Sequence, residues 1–137
     1  MKKYIFISLI TLLLSCDKTI EIQNSFDFDL QMLPVLQEAE LGVPVEMRFN
    51  IHPIGGEYIN TQYYARFFLF SGRGLLMNES GEAFFPNDDY LLLNKRFRLY
   101  YTPNAGTQHN LQIVFFDNFG HEKEIEIQFS VQNSETE

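Results

Sequence analysis

The sequence predicts an all-β domain, an immunoglobulin-like β-sandwich of about seven strands, behind a short export signal. Three observations carry this reading. Apolar and polar residues alternate with period two in several short runs. Clusters of Gly, Pro, Asn and Asp separate those runs. No segment sustains a helical period. The aromatic set, 14 Phe and 7 Tyr with no Trp, suits inner sheet faces that interdigitate. A jelly roll or small barrel is the alternative arrangement of the same strands.

The first alternation runs over residues 19–33 with a kink: Ile20 and Ile22, then Phe26, Phe28, Leu30 and Met32, face one way against Asp27, Asp29 and Gln31. Leu33 and Pro34 end it. Residues 43–52 alternate next, with Met47, Phe49 and Ile51 inward and Glu46, Arg48 and His52 outward. Residues 62–70 are apolar on both faces except for Arg66, as expected of a central strand. Ser71 to Gly74 reads as a turn into a short run, Leu75 to Met77, and Asn78 to Gly81 as a second turn. Ala83 to Phe85 reads as a short strand in an otherwise irregular stretch that reaches Asn94.

Three strands close the domain. Residues 96–102 place Phe97, Leu99 and Tyr101 inward, and Pro103 to Gly106 reads as a corner. Residues 110–117 follow, then a hairpin turn at Asp117-Asn118-Phe119-Gly120, then residues 122–131, where Ile125, Ile127, Phe129 and Val131 oppose Glu124, Glu126, Gln128 and Ser130.

The address is written at the start. Lys2 and Lys3 precede the apolar run Tyr4 to Leu14, and Ser15 and the only cysteine, Cys16, follow it. This pattern is that of a lipoprotein signal, with Ser15 at the cleavage site and Cys16 as the lipidated residue. The apolar run is too short to span a bilayer, which takes about 20 residues. The expected organisation is therefore a signal peptide at 1–15, a lipidated anchor and tether or first short strand at 16–25, a sandwich domain at 26–132 and a disordered tail at 133–137. The protein is expected at the cell envelope, held to a membrane through the lipid on Cys16, on the periplasmic or surface face of the outer membrane.

Removal of residues 1–15 leaves eight Lys plus Arg against eighteen Asp plus Glu, a formal charge of −10. That surface repels phosphate backbones, which excludes nucleic acid as a partner, and anionic headgroups, so attachment falls to the lipid. With Cys16 consumed no disulfide forms, and the fold must stand on packing.

The residues show no catalytic constellation. No serine or cysteine sits in a nucleophile elbow, and Gly72-Arg73-Gly74 lacks the rest of a phosphate loop. His52, His109 and His121 share no metal-ligand spacing. His52 and His121 fall at one end of a sandwich, where a cation site shared with Asp117 is weighed against two unrelated loop residues and set aside; His109 falls at the other end. Asn87, Asp88 and Asp89 read as turn formers rather than a calcium loop. Asp27, Asp29, Glu124 and Glu126 read as solvent faces that protect strand edges, with Arg48 and Arg66 as partners for these acids. No metal, small-molecule cofactor or enzymatic activity is expected. The exposed tyrosines are the candidate protein-contact residues: Tyr100, Tyr90 and Tyr64, since Tyr supplies large contact area at low entropy cost.

Several short motifs in order, namely the lipoprotein start, Leu33-Pro34-Val35, Pro86-Asn87-Asp88-Asp89-Tyr90, Phe97-Arg98-Leu99-Tyr100-Tyr101-Thr102 and Asp117-Asn118-Phe119-Gly120, resemble the TraQ family of conjugative-transposon proteins from Bacteroides and its relatives. The resemblance runs through the mature chain. It implies a lipoprotein from a transfer operon that works with other envelope proteins of a conjugation apparatus of the type IV secretion kind, and it supplies no active site. The expected function is a non-enzymatic, membrane-anchored accessory lipoprotein of conjugative transfer acting by protein contact. The alternative is a surface lipoprotein that binds a glycan or other extracellular ligand.

Overall fold

The computed structural model describes residues 25–132, and every described element is a strand. The strands are β1 (Phe28–Met32), β2 (Glu38–Glu40), β3 (Val45–Pro53), β4 (Tyr63–Asn78), β5 (Ala83–Phe84), β6 (Tyr90–Leu92), β7 (Arg96–Asp117) and β8 (Glu122–Gln132). All pairings are antiparallel except β2 with β8, which is parallel.

Two long strands organise the domain. The first part of β7 pairs with β3, from Arg96 opposite Asn50 to Tyr101 opposite Val45, and with the last part of β4. Its last part pairs with the first part of β4, from Asp117 opposite Tyr63 to Asn110 opposite Ser71, and with β8. One continuous sheet therefore bends into two halves. The first half holds β1, β3, the start of β7, the end of β4 and β5; the second holds β6, the start of β4, the end of β7, β8 and β2.

The halves close on each other through aromatic rings. Phe49 of β3 meets Phe115 of β7 at 5.0 Å between centroids, Phe28 of β1 meets Tyr63 of β4 at 5.3 Å, and Tyr101 stacks on Phe129 of β8 at 5.8 Å. These rings, with Met47, Phe67, Leu99 and Leu111, form a core that is buried almost completely. Period-two patterning of the strands is what places them all on one side of the bent sheet.

The all-β expectation holds, and so do the inward faces read for Phe28, Met47, Phe49, Phe97, Leu99, Tyr101, Ile127 and Phe129. The strand boundaries differ in several places, among them β2 (Glu38–Glu40), which lies between two alternating runs. Pro103 to Gly106 is no corner between two strands, because β7 runs straight through it for 22 residues. Ser71 to Gly74 is likewise a bend inside β4 rather than a turn, marked by register shifts at Leu69/Ser71, Ser71/Arg73 and Arg73/Gly74. The irregular stretch also contains β6, which caps the edge of β4 opposite Tyr63 to Ala65. Punctuating residues suited to a turn here serve to bend strands that stay hydrogen-bonded, as glycine does at sheet corners.

At the bend, Gly72 has φ +79°, and a Cβ there would lie 2.5 Å from the His109 ring. A Cβ on Gly74 would overlap the Tyr101 hydroxyl and ring. Both glycines therefore make room for one buried pair, His109 and Tyr101, between the halves. His109 is 1% exposed; its Nδ1 accepts from the Tyr101 hydroxyl, and its Nε2–H donates to the Gly106 carbonyl at 3.1 Å. Both ring nitrogens are satisfied, and the Gly106 carbonyl, which can only accept, sets a proton on Nε2.

Candidate contact surfaces and the tethered end

The described chain enters the fold at one end. Ser25 donates to His121 Nε2 at 3.2 Å, the Ile54 amide donates to the Asp27 carbonyl at 2.8 Å, and the Phe26 ring meets Tyr58 at 4.9 Å. The loop after β3 and the hairpin turn between β7 and β8 thus surround the entry point. The turn is built by Asp117, whose Oδ1 accepts from the Phe119 and His121 amides at 2.9 and 3.0 Å and whose Oδ2 accepts from His121 Nδ1 at 2.7 Å. Gly120 supplies the positive φ, +93°, that closes it.

Ser25, His121 and Asp117 stand in the order of a nucleophilic relay. Their setting makes them a clasp: the Asp117 carboxylate is spent on the turn amides as well as the imidazole. His52, at the same end, reaches only Gln31 at 3.4 Å, so the two histidines do not converge. No group of three His, Cys, Asp or Glu among the described residues is placed to hold a metal ion.

Charge holds the same end together. Lys95 and the Tyr63 hydroxyl both bond Glu57, at 2.8 and 2.7 Å. Burial works to raise the Glu57 carboxyl, but those two bonds outweigh it and hold it below the ordinary value. The Tyr63 hydroxyl is pushed well above its ordinary value, by burial first and then by Glu57. Asp27 is held low by the Phe28 amide that it accepts at 2.7 Å, with Lys123 at 3.5 Å adding to this.

Asp27 and Asp29 also explain how the open edge of β1 is protected. The Phe28 and Leu30 amides, on the side away from β3, donate to the side chains of Asp27 and Asp29 at 2.7 and 2.9 Å. That leaves those edge donors occupied and discourages addition of a foreign strand.

The three candidate tyrosines fall in three different settings. Tyr90 on β6 packs inward, its ring stacked on Phe84 at 4.0 Å and its hydroxyl accepting from the Phe85 amide at 2.7 Å. Its ring is therefore committed to the fold. Tyr64 points outward from β4, stacked on Phe116 at 5.3 Å, and Arg66 lies over the other end of that ring system at 5.3 Å while bonding Asp89 at 2.6 Å. Tyr100 points outward from β7 beside Arg48, Arg96 and Arg98, at the rim of an open cleft of about 650 Å³. The structure brings Tyr64 and Tyr100 to opposite outer faces, so they form no single patch.

Sequence reasoning missed what surrounds each. On the second half, Phe68 and Phe70 stack at 6.4 Å in line with Tyr64, and Phe70 is 60% exposed. Together they make an aromatic column on the outer face. The signal was in the sequence: the even-numbered residues of 63–70 continue the outward face of Tyr64. Both arginines pair with acids, but not with those read from the sequence: Arg66 bonds Asp89 and Arg48 bonds Glu46.

Comparison with known proteins places the chain. The family model described as TraQ conjugal transfer protein matches residues 1–133. The chain belongs to that family. A crystal structure of a conjugative transposon lipoprotein from Bacteroides eggerthii is similar at 39% identity and TM-score 0.70, over 77% of this chain and 98% of that one. A solution structure of a lipoprotein from Bacteroides thetaiotaomicron is similar at 31% identity and TM-score 0.71, over 84% and 88%. A conjugate transposon protein from Bacteroides vulgatus is similar at 32% identity and TM-score 0.68, over 88% and 97%. No curated protein matches this sequence. Membership of the TraQ family gives the chain a role in conjugal transfer. Ser15 and Cys16 of the lipoprotein signal, and the tail 133–137, lie outside the described residues.

Proposed function

We propose that this TraQ-family chain is a non-enzymatic accessory lipoprotein, anchored at the cell envelope through Cys16 and working by contact with other envelope proteins of the transfer apparatus. The observation that carries the reading is the outward-facing aromatic column Tyr64, Phe68 and Phe70, half-buried at its first two members and open to solvent at Phe70. Exposed aromatic groups of this kind, flanked by charge, mark contact surfaces. The boundaries expected from the sequence enter this proposal: a signal removed after Ser15, and an anchor and tether leading to Ser25.

Geometry supports the anchor. From Cys16 to Ser25 the chain reaches at most about 30 Å when fully extended. The entry point at His121 and Ile54 is therefore kept within about 30 Å of the membrane, and both outer faces stay open to other envelope proteins.

The test is made in donor cells carrying the transposon. Cys16→Ser is expected to release the protein from the membrane fraction and to lower transfer at least tenfold, and cross-linking of the native chain is expected to capture envelope proteins of the same operon. Retention of Cys16→Ser in the membrane, or wild-type transfer after deletion of the gene alone, would overturn the proposal.

A further inference from the structure

The outer face of the first half carries an electrostatic oddity. Arg48 of β3 stands directly opposite Arg98 of β7, and Arg96 is the next outward residue along the same strand. Like charges placed directly across a strand pair destabilise it. Among the described residues two carboxylates answer them: Glu46 Oε1 lies 2.5 Å from Arg48 and 3.5 Å from Arg98, and Glu79 lies 4.0 Å from Arg98. The Arg96 guanidinium bonds the neutral side-chain oxygen of Asn50 at 3.2 Å. In a mature chain of formal charge −10, three of eight cationic side chains converge on one cleft.

The opposite outer face is the complement. There β2 and β8 project Glu38, Glu40, Glu122, Glu124 and Glu126, and among the described residues none of the five has an ion-pair partner. The one arginine of that face, Arg66, is engaged by Asp89. Alternate residues of a strand lie about 7 Å apart on one face. The arginines at 96 and 98 and the glutamates at 122, 124 and 126 are thus rows of the same spacing.

We propose that the arginine cleft of one copy receives the β8 glutamate row of a second copy of this chain. The two faces lie on opposite sides of the domain, so the contact is heterologous and repeats from copy to copy. Both faces run along the axis from the entry point to the bend. Copies joined this way keep their entry points on one side and stand in a row on a single membrane. Exposed ion pairs are individually weak and screened by salt, so the row forms where the anchor holds copies close together rather than in dilute solution.

The proposal rests on the anchored reading, and the experiment separates the two. Full-length lipidated protein, labelled with donor or acceptor fluorophores, is placed in phosphatidylcholine vesicles at fixed surface density. Flotation with the vesicles reports anchoring by itself, and energy transfer between copies reports the row. Expected results are efficient transfer for the native chain, at least a fivefold loss for R96E/R98E alone and for E124K/E126K alone, recovery when the two variants are mixed, and weakening at high salt. Thermal melting checks that each variant is folded. Energy transfer no greater than for randomly placed copies, variants that associate like the native chain, or a mixture that fails to recover would overturn it. So would loss of an envelope partner from R96E/R98E in donor cells while native copies stay unassociated, since the occupant would then be an acidic segment of another protein.

Discussion

Two histidines sit at opposite ends of the hairpin formed by β7 and β8, and each uses both ring nitrogens, yet they do different work. His109 is sealed in the bend, bonded to Tyr101 and the Gly106 carbonyl, under two glycines that leave room for nothing else. His121 is half-buried at the tethered end, bonded to Asp117 and Ser25. The first pair fixes how one sheet folds into two halves. The second clasps the incoming chain to a surface turn. The difference between them is how much of the fold depends on each bond: at the bend, any added atom must displace core rings, whereas at the tethered end the neighbours border solvent.

The sharpest way to break the comparison is Gly74→Ala. A methyl group there has to displace the Tyr101 ring, so a loss of about 3 kcal/mol is expected by overpacking, read as a lower urea midpoint. Next is Tyr101→Phe, which leaves His109 Nδ1 buried without its donor at a cost of about 1–3 kcal/mol. The same variant has a pH signature. Burial pushes the Tyr101 hydroxyl up to about 12. A value raised in the folded state means that the contribution is whole below about pH 10, the ordinary tyrosine value, and is lost as pH climbs towards the folded value. Urea midpoints of the native chain should fall across that window, and those of Tyr101→Phe should fall less steeply, with Tyr63, also raised, supplying the remaining slope.

At the tethered end the expected effects are smaller and local. Asp117→Asn removes the acceptor of His121 and should cost about 1 kcal/mol, with faster hydrogen exchange at the Phe119 and His121 amides while the bend stays protected. The acid limb belongs to this end too. Asp27 and Glu57 are held below their ordinary values. A depressed carboxylate stabilises the fold at neutral pH, and that contribution disappears as pH falls through and below the ordinary carboxylate range. Glu57→Gln should therefore flatten the acid dependence of the midpoint measured from pH 6 to pH 3.

The same contrast governs what the sequence could disclose. Period-two alternation is a local property, and it located the strand faces that became the core, including Tyr101 in the line of Phe97 and Leu99. Gly72, Gly74 and Pro103 to Gly106 looked like breaks because turn residues and bend residues are the same residue types. Whether a glycine ends a strand or lets it pass over a partner is decided by Tyr101 and His109, which lie 27 residues beyond Gly74 and 37 beyond Gly72 in the other long strand, too far along the chain for local pattern to connect. β6 was hidden because three residues cannot display a period; it exists because β4 has an edge to cover. Of the three tyrosines, Tyr64 and Tyr100 reach outer faces, whereas the Tyr90 ring is drawn inward by Phe84, a contact that spacing alone does not announce. The histidines at 52 and 121 do share an end, but the side chains that engage them, Gln31 on one side and Ser25 with Asp117 on the other, keep them apart.

The central claim, that this TraQ-family domain serves transfer through a contact face rather than through chemistry in its interior, is tested most directly by transfer frequency in donor cells carrying Phe68→Ser with Phe70→Ser. Both side chains lie on the outer face, and stability should shift by no more than about 1 kcal/mol, with membrane-fraction levels equal to the native chain. The account predicts a fall in transfer of at least tenfold at those equal levels. Transfer at the native frequency would contradict it.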